Sequence, residues 1–100
     1  MNDVLSIASS GMQSSAVRLR NSAHNVANLV TEDFKSHRTV QVSRSGGGSD
    51  ASTQVDKQAK GGSIIHEAVE QSRAKLQFEA SARLIKAHDD MKGTLLDAFA

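Results

Sequence analysis

Residues 63–99 carry an apolar repeat that no single partner helix can cover. Ile65, Leu76, Ala87 and Ala98 are spaced by eleven, as are Val69, Ala80 and Met91, and again Leu84 and Leu95. Eleven residues give about 3.67 per turn, so this stripe runs nearly straight along a helix and leans slightly right-handed. A second apolar set, Phe78, Ala82, Ile85, Leu96 and Phe99, lies off the first. One neighbour buries one stripe, so a helix with two is built for contact with several neighbours. Ser63 is placed to cap its start, with Glu67 and Glu70 near the positive end of the helix dipole.

A second helical pattern opens the chain, from about Asn2 to Leu29. Leu5, Met12, Leu19 and Val26 fall seven residues apart and share one stripe. Beside them lie Ala8, Ala16, Ala23, Ser15 and Ser22, small enough to let another helix approach closely. Gly11 weakens the helix by about 1 kcal/mol relative to alanine. Alone, such a helix is marginal.

Between the two patterns the character changes. "HRTVQVSR" alternates around Val40 and Val42, as a half-exposed strand does. "SGGGSDAS" reads as a flexible tip, "TQVDK" as a possible return strand, and Gly61-Gly62 as a second release of the backbone. The chain thus divides into 1–35, 36–62 and 63–100. The expected fold is mainly all-α: antiparallel N- and C-terminal helices forming a coiled-coil hairpin, joined by a short β-hairpin or a flexible loop.

Composition limits what this hairpin can do alone. Among 100 residues there are three Phe, no Tyr, no Trp and no Cys. Apolar burial yields roughly 25 cal/mol per Å², against about 1–2 kcal/mol of backbone entropy per ordered residue. No disulfide and no Cys-based metal site makes up the difference. Absence of cysteine suits a reducing compartment, or a chain that crosses a narrow channel unfolded. The net charge is +1, with basic and acidic residues intermixed. Neither a basic stripe nor stacking aromatics marks a nucleic-acid reader. No apolar run has membrane-spanning length, so no membrane insertion is expected. "MNDVLSIASSGMQ" lacks the basic start and continuous apolar stretch of a cleavable signal peptide.

Catalysis finds little footing. His24, His37, His66 and His88 lack metal-ligand spacing. In "HDD", from His88 to Asp90, adjacent helical residues diverge by about 100° and do not converge on one ion. The N-terminal serines have no positioned base, and "GGGS" lacks the lysine and helix of a phosphate loop. Met12 and Met91 read as packing residues. No catalytic, cofactor or metal residue is expected, and the chain does not read as an enzyme.

"HNVANLVTEDFK" (His24 to Lys35) concentrates amides and a hydroxyl where the first helix should stop. Asn25, Asn28 and Thr31 suit a helix end, because their side chains compete for freed backbone groups.

The two ends together resemble the bacterial flagellar axial family, the rod and hook proteins of the basal body. That family opens with a helix similar to "ALSGLQAA…RL" and closes it in a pattern like "NIANANTPGYK". Matching residues are Ser10-Gly11-Met12-Gln13, Arg18-Leu19, Asn25-Val26-Ala27-Asn28, Thr31 and Phe34-Lys35. Its final helix is similar to "YQANAKVIKTADEMLGTLLDL", matched by Phe78 to Lys86, Asp89-Asp90-Met91 and Gly93 to Asp97. The resemblance implies a minimal rod-type subunit of the basal body, exported by the flagellar type III apparatus without a cleaved signal. It implies partners among its own copies and other axial proteins. The expected helix–helix and assembly interface is Leu5, Met12, Leu19, Val26, Val69, Leu76, Phe78, Leu84, Ile85, Met91, Leu95 and Leu96. Two departures stand out. Val30-Thr31-Glu32-Asp33 replaces the family's Asn-Thr-Pro-Gly, removing the proline and glycine of its turn, and Ser81 stands where the family has Asn. A rival reading of another class is a cytoplasmic helical-hairpin adaptor or chaperone.

Overall fold

A computed structural model describes residues 2–58 and 63–99. The Gly61-Gly62 expectation lies outside these residues. Helix α1 spans Asn2–Ala27, strands β1 and β2 span His37–Ser43 and Ser49–Val55, and helix α2 spans Ile64–Phe99. The fold is mainly helical: two helices and one small two-stranded antiparallel sheet. Both halves of the middle segment are therefore strands, paired from His37 with Val55 to Ser43 with Ser49. The glycine tip is a hydrogen-bonded turn, with Gly47 N–H donating to Arg44 C=O at 3.1 Å and Arg44 N–H to Gly48 C=O at 2.9 Å.

The helices pack antiparallel. Ser22 Oγ donates to the Glu67 carbonyl at 3.1 Å near one end, and Gln77 Nε2 to the Gly11 carbonyl at 3.1 Å further along. At Gly11 α2 comes so close that an added Cβ would strike the Ser81 hydroxyl. The same register brings Ile7 and Ala8 beside Ser81 and Leu84. It therefore exhausts α1 near His88, and α2 continues alone through Asp89–Phe99, every residue of it exposed. The molecule is accordingly elongated, 64 × 25 × 13 Å. Its radius of gyration of 17.6 Å exceeds the roughly 13 Å of a compact chain this long.

What lies inside is mostly polar. The buried positions of α1 on the α2 side are Ala8, Ser15 and Ser22, seven apart, and those of α2 are Glu67, Ala74 and His88, with half-buried Ser81 in the same series. A seven-residue recurrence keeps one seam facing a partner helix. The expected stripe of Leu5, Met12, Leu19 and Val26 lies on the shoulder of this seam. Met12 and Val26 are half-buried, whereas Leu5 and Leu19 are exposed. Among the described residues the fully buried apolar side chains are Ala8 and Ala74, a methyl group each, worth about 0.8 kcal/mol per buried carbon. The buried serines avoid the cost of desolvation by bonding locally. Ser10 Oγ donates to Ile7 C=O and Ser15 Oγ to Met12 C=O, both at 2.7 Å.

The hairpin lies along α1 rather than α2. Ser10, Ser14, Arg18, Asn21 and Asn25 follow each other at intervals of three or four residues, which puts them on one face of α1. The inward residues of the hairpin bond to that face. Ser14 and Ser49 hydroxyls lie 3.0 Å apart, Arg18 Nη2 donates to Gln41 Oε1 at 2.6 Å, and Asn21 bonds Thr39 at 2.8 Å and Thr53 at 3.1 Å. Such bonds net about 0.5–1.5 kcal/mol each. This interface is held by hydrogen bonds.

Candidate assembly surface

The Asn/Thr motif divides into two jobs. Asn28 and Thr31 end the helix as expected: Asn28 Nδ2 donates to the His24 carbonyl at 2.9 Å, and Thr31 Oγ1 to Asn28 Oδ1 at 3.2 Å. Asn25 does not cap. It is buried, its Oδ1 accepts from His37 N–H at 2.8 Å, and its Nδ2 donates to His37 C=O at 2.8 Å. The same Nδ2 lies 3.1 Å from Oε1 of the buried Glu67 carboxylate. One amide thus joins α1, the first residue of β1 and the first turns of α2. His24 stacks on His37 with ring centroids 4.2 Å apart, and Phe34 covers the pair at 5.4 Å from His24. Lys35 is exposed, and Ala27 is the last residue of α1.

The missing glycine of the turn has a substitute. Asp33 holds φ at 58°, the left-handed conformation in which glycine is the usual residue. Aspartate tolerates this region better than most side chains. Helix α1 ends at Ala27, and the chain turns at Asp33 with no proline or glycine in between. Gly11 fills a separate need, the close approach of α2.

Ser63 caps α2 as expected, its Oγ accepting from His66 N–H at 3.2 Å. Arg18 spans the middle of the molecule. While Nη2 holds Gln41, Nε lies 3.6 Å from Glu70 Oε2. Around this junction a cleft of about 670 Å³ opens, lined by Asn25, Phe34, His37, His66, Glu67 and further polar residues. Among the described residues no group of three His, Cys, Asp or Glu is arranged to hold a metal ion. No described helix is long and apolar enough to cross a membrane.

The apolar residues of α2 lie outside. Val69, Phe78, Leu84 and Leu95 are exposed, and Leu76, Met91 and Leu96 are 65%, 67% and 70% exposed; Ile85 is half-buried. Phe99, near the end of the free segment, is 87% exposed. Viewed down α2 at 100° per residue, Phe78 and Ile85 lie about 40° to one side of the Glu67–Ala74–Ser81–His88 seam and Leu84 and Met91 about 60° to the other, whereas Ile65, Val69 and Leu76 lie nearly opposite it. Each flank is left without a cover.

Sequence reasoning named Ser15 and Ser22 as small residues admitting a second helix, but missed Asn21, Glu67 and His37 as contact residues. A signal was present. The series Ala8, Ser15, Ser22 and Glu67, Ala74, Ser81, His88 both repeat by seven, but small polar residues do not register in a search for apolar stripes. The chain matches no protein-family model and no curated protein sequence.

Proposed function

We propose that this chain is a structural, non-catalytic subunit of a flagellar basal body rod, assembling with its own copies and other axial proteins into a helical tube. The observation that carries the reading is the pair of uncovered apolar flanks on α2, continued on the segment Asp89–Phe99. Together they form far more exposed apolar surface than the interior contains, and such patches mark interaction sites. The resemblance of both termini to axial proteins supplies the kind of assembly. Seven-residue seams on both helices support the finer description of the pair as an antiparallel coiled coil. A polar interior also suits export: a weakly folded monomer threads a type III channel easily and gains order from its neighbours. In isolation it is then partly disordered or self-associated. Circular dichroism and sedimentation at low micromolar concentration test this, and a monomer melting sharply above about 60 °C counts against it.

The deciding experiment replaces Leu84 and Leu95 with glutamate. Each buried leucine lost costs about 2–5 kcal/mol, and a buried unpaired charge adds to that. Immunoblots of culture medium and of purified basal bodies should show the variant secreted but not incorporated. Normal incorporation rejects this surface. A wild-type protein that never leaves the cytoplasm supports the adaptor reading instead.

A further inference from the structure

We propose that the β-hairpin is a strap that lifts from α1 tip first while the helix pair stays closed, widening the open groove between Ile7 and Leu84. This stands independently of the assembly reading. The strap packs on α1 and not on α2. Its attachment is a row of part-buried hydrogen bonds between hydroxyls, amides and Arg18, and a two-stranded hairpin has little stability of its own. Units with few buried apolar contacts open below the free energy of global unfolding.

The two ends of the strap are held unequally. At the base, Asn25 clamps both backbone groups of His37 at 2.8 Å and is itself tied to Glu67. At the tip, Ser49 N–H donates to Ser10 Oγ at 3.2 Å, and Ser14 Oγ reaches the Ser49 carbonyl at 3.5 Å. Gly48, at φ +92°, lies so close to Ser10 that a Cβ there would be 2.5 Å from its hydroxyl. The tip is therefore a free end laid against α1, whereas the base is tied by Asn25 and joined through the chain to both helices, so opening begins at the tip. Beside it is an open groove of about 250 Å³, lined by Ile7, Ala80 and Leu84 of the helices and by Gly48 and Ser49 of the tip. Lifting the tip joins Ile7 to the exposed apolar flank of α2.

Adjacent buried serines provide the test. Ser14 lies under the strap and Ser15 in the helix seam, and both are almost fully buried. The chain has no cysteine, so Ser14→Cys and Ser15→Cys each carry a single thiol. If the strap opens separately, iodoacetamide modifies the thiol at 14 at least about 100-fold faster than the thiol at 15, the signature of sub-global opening. Equal rates overturn the proposal, because both sites then open only with the whole molecule. A second variant closes the strap. Oxidising Asn21→Cys/Thr53→Cys, where the native side chains lie 3.1 Å apart, should slow Ser49 N–H exchange to the rate of the helix seam. Unchanged Ser49 exchange after oxidation also overturns it.

Discussion

The seam between the helices and the outer flanks of α2 have exchanged their usual chemistry. Along the seam lie Ser15, Ser22, Glu67 and His88, with only Ala8 and Ala74 as buried apolar members among the described residues; outside are Leu76, Met91, Leu95, Leu96 and Phe99. In a self-sufficient domain the large apolar residues would be inside, because their burial is the main force opposing chain entropy. Here close approach has been chosen over apolar area along the seam. Small residues bring the helix backbones together and hydrogen bonds satisfy the buried serines and Asn25, leaving the hydrophobic surface uncommitted. The interior therefore decides which segments meet, and the flanks are left exposed.

Replacing Asn25 tests the interior most severely. Asn25→Ala strands both backbone groups of His37 and takes a donor from the Glu67 carboxylate. The expected loss is about 3–5 kcal/mol, measured by urea unfolding followed by circular dichroism. A loss below about 1 kcal/mol, the size of one ordinary hydrogen bond, would show the junction to be decoration. Next comes overpacking of the seam. Ser15→Leu adds apolar surface where none fits and should destabilise by about 1–3 kcal/mol; stabilisation would mean that the seam has room and is not set by small residues.

The turn after α1 gives a smaller effect of opposite sign. Asp33→Gly relieves a left-handed side chain but frees the unfolded backbone, for a net gain of about 0.5 kcal/mol in the same unfolding assay. The smallest effect belongs to the flanks. Leu95→Ala with Leu96→Ala should move monomer stability by less than about 0.5 kcal/mol, as exposed sites do, while weakening self-association in sedimentation. A monomer destabilised as strongly as by Asn25→Ala would erase the contrast between the regions.

How much of this was legible beforehand depends on the residue. The Ser63 cap, the alternation around Val40 and Val42, and the helix end at Asn28 and Thr31 follow from local hydrogen bonding and pleat, which short stretches of chain encode by themselves. The two-faced pattern of α2 was legible too, since periodicity is a property of the helix alone. Asn25 was not. Its spacing from Asn28 and Thr31 suggests a cap, and nothing local distinguishes a side chain that bonds its own helix from one that reaches His37 and Glu67.

The sequence by itself determined where the two helices form, that α2 carries two apolar stripes, and that the chain has little large apolar material for a core. It left 36–62 open between a hairpin and a loop and read Ser49 to Ser52, now in β2, as flexible tip. Only the tertiary structure decided which face of each helix became the seam. Apolar stripes compete for burial only when a neighbour fits against them, and Gly11 with the alanines and serines of the seven-residue series allows a closer approach than the leucine stripe does. That choice sent Leu5 and Leu19 outward, left Asp89–Phe99 without a partner on α1, and made an amide the junction of three segments.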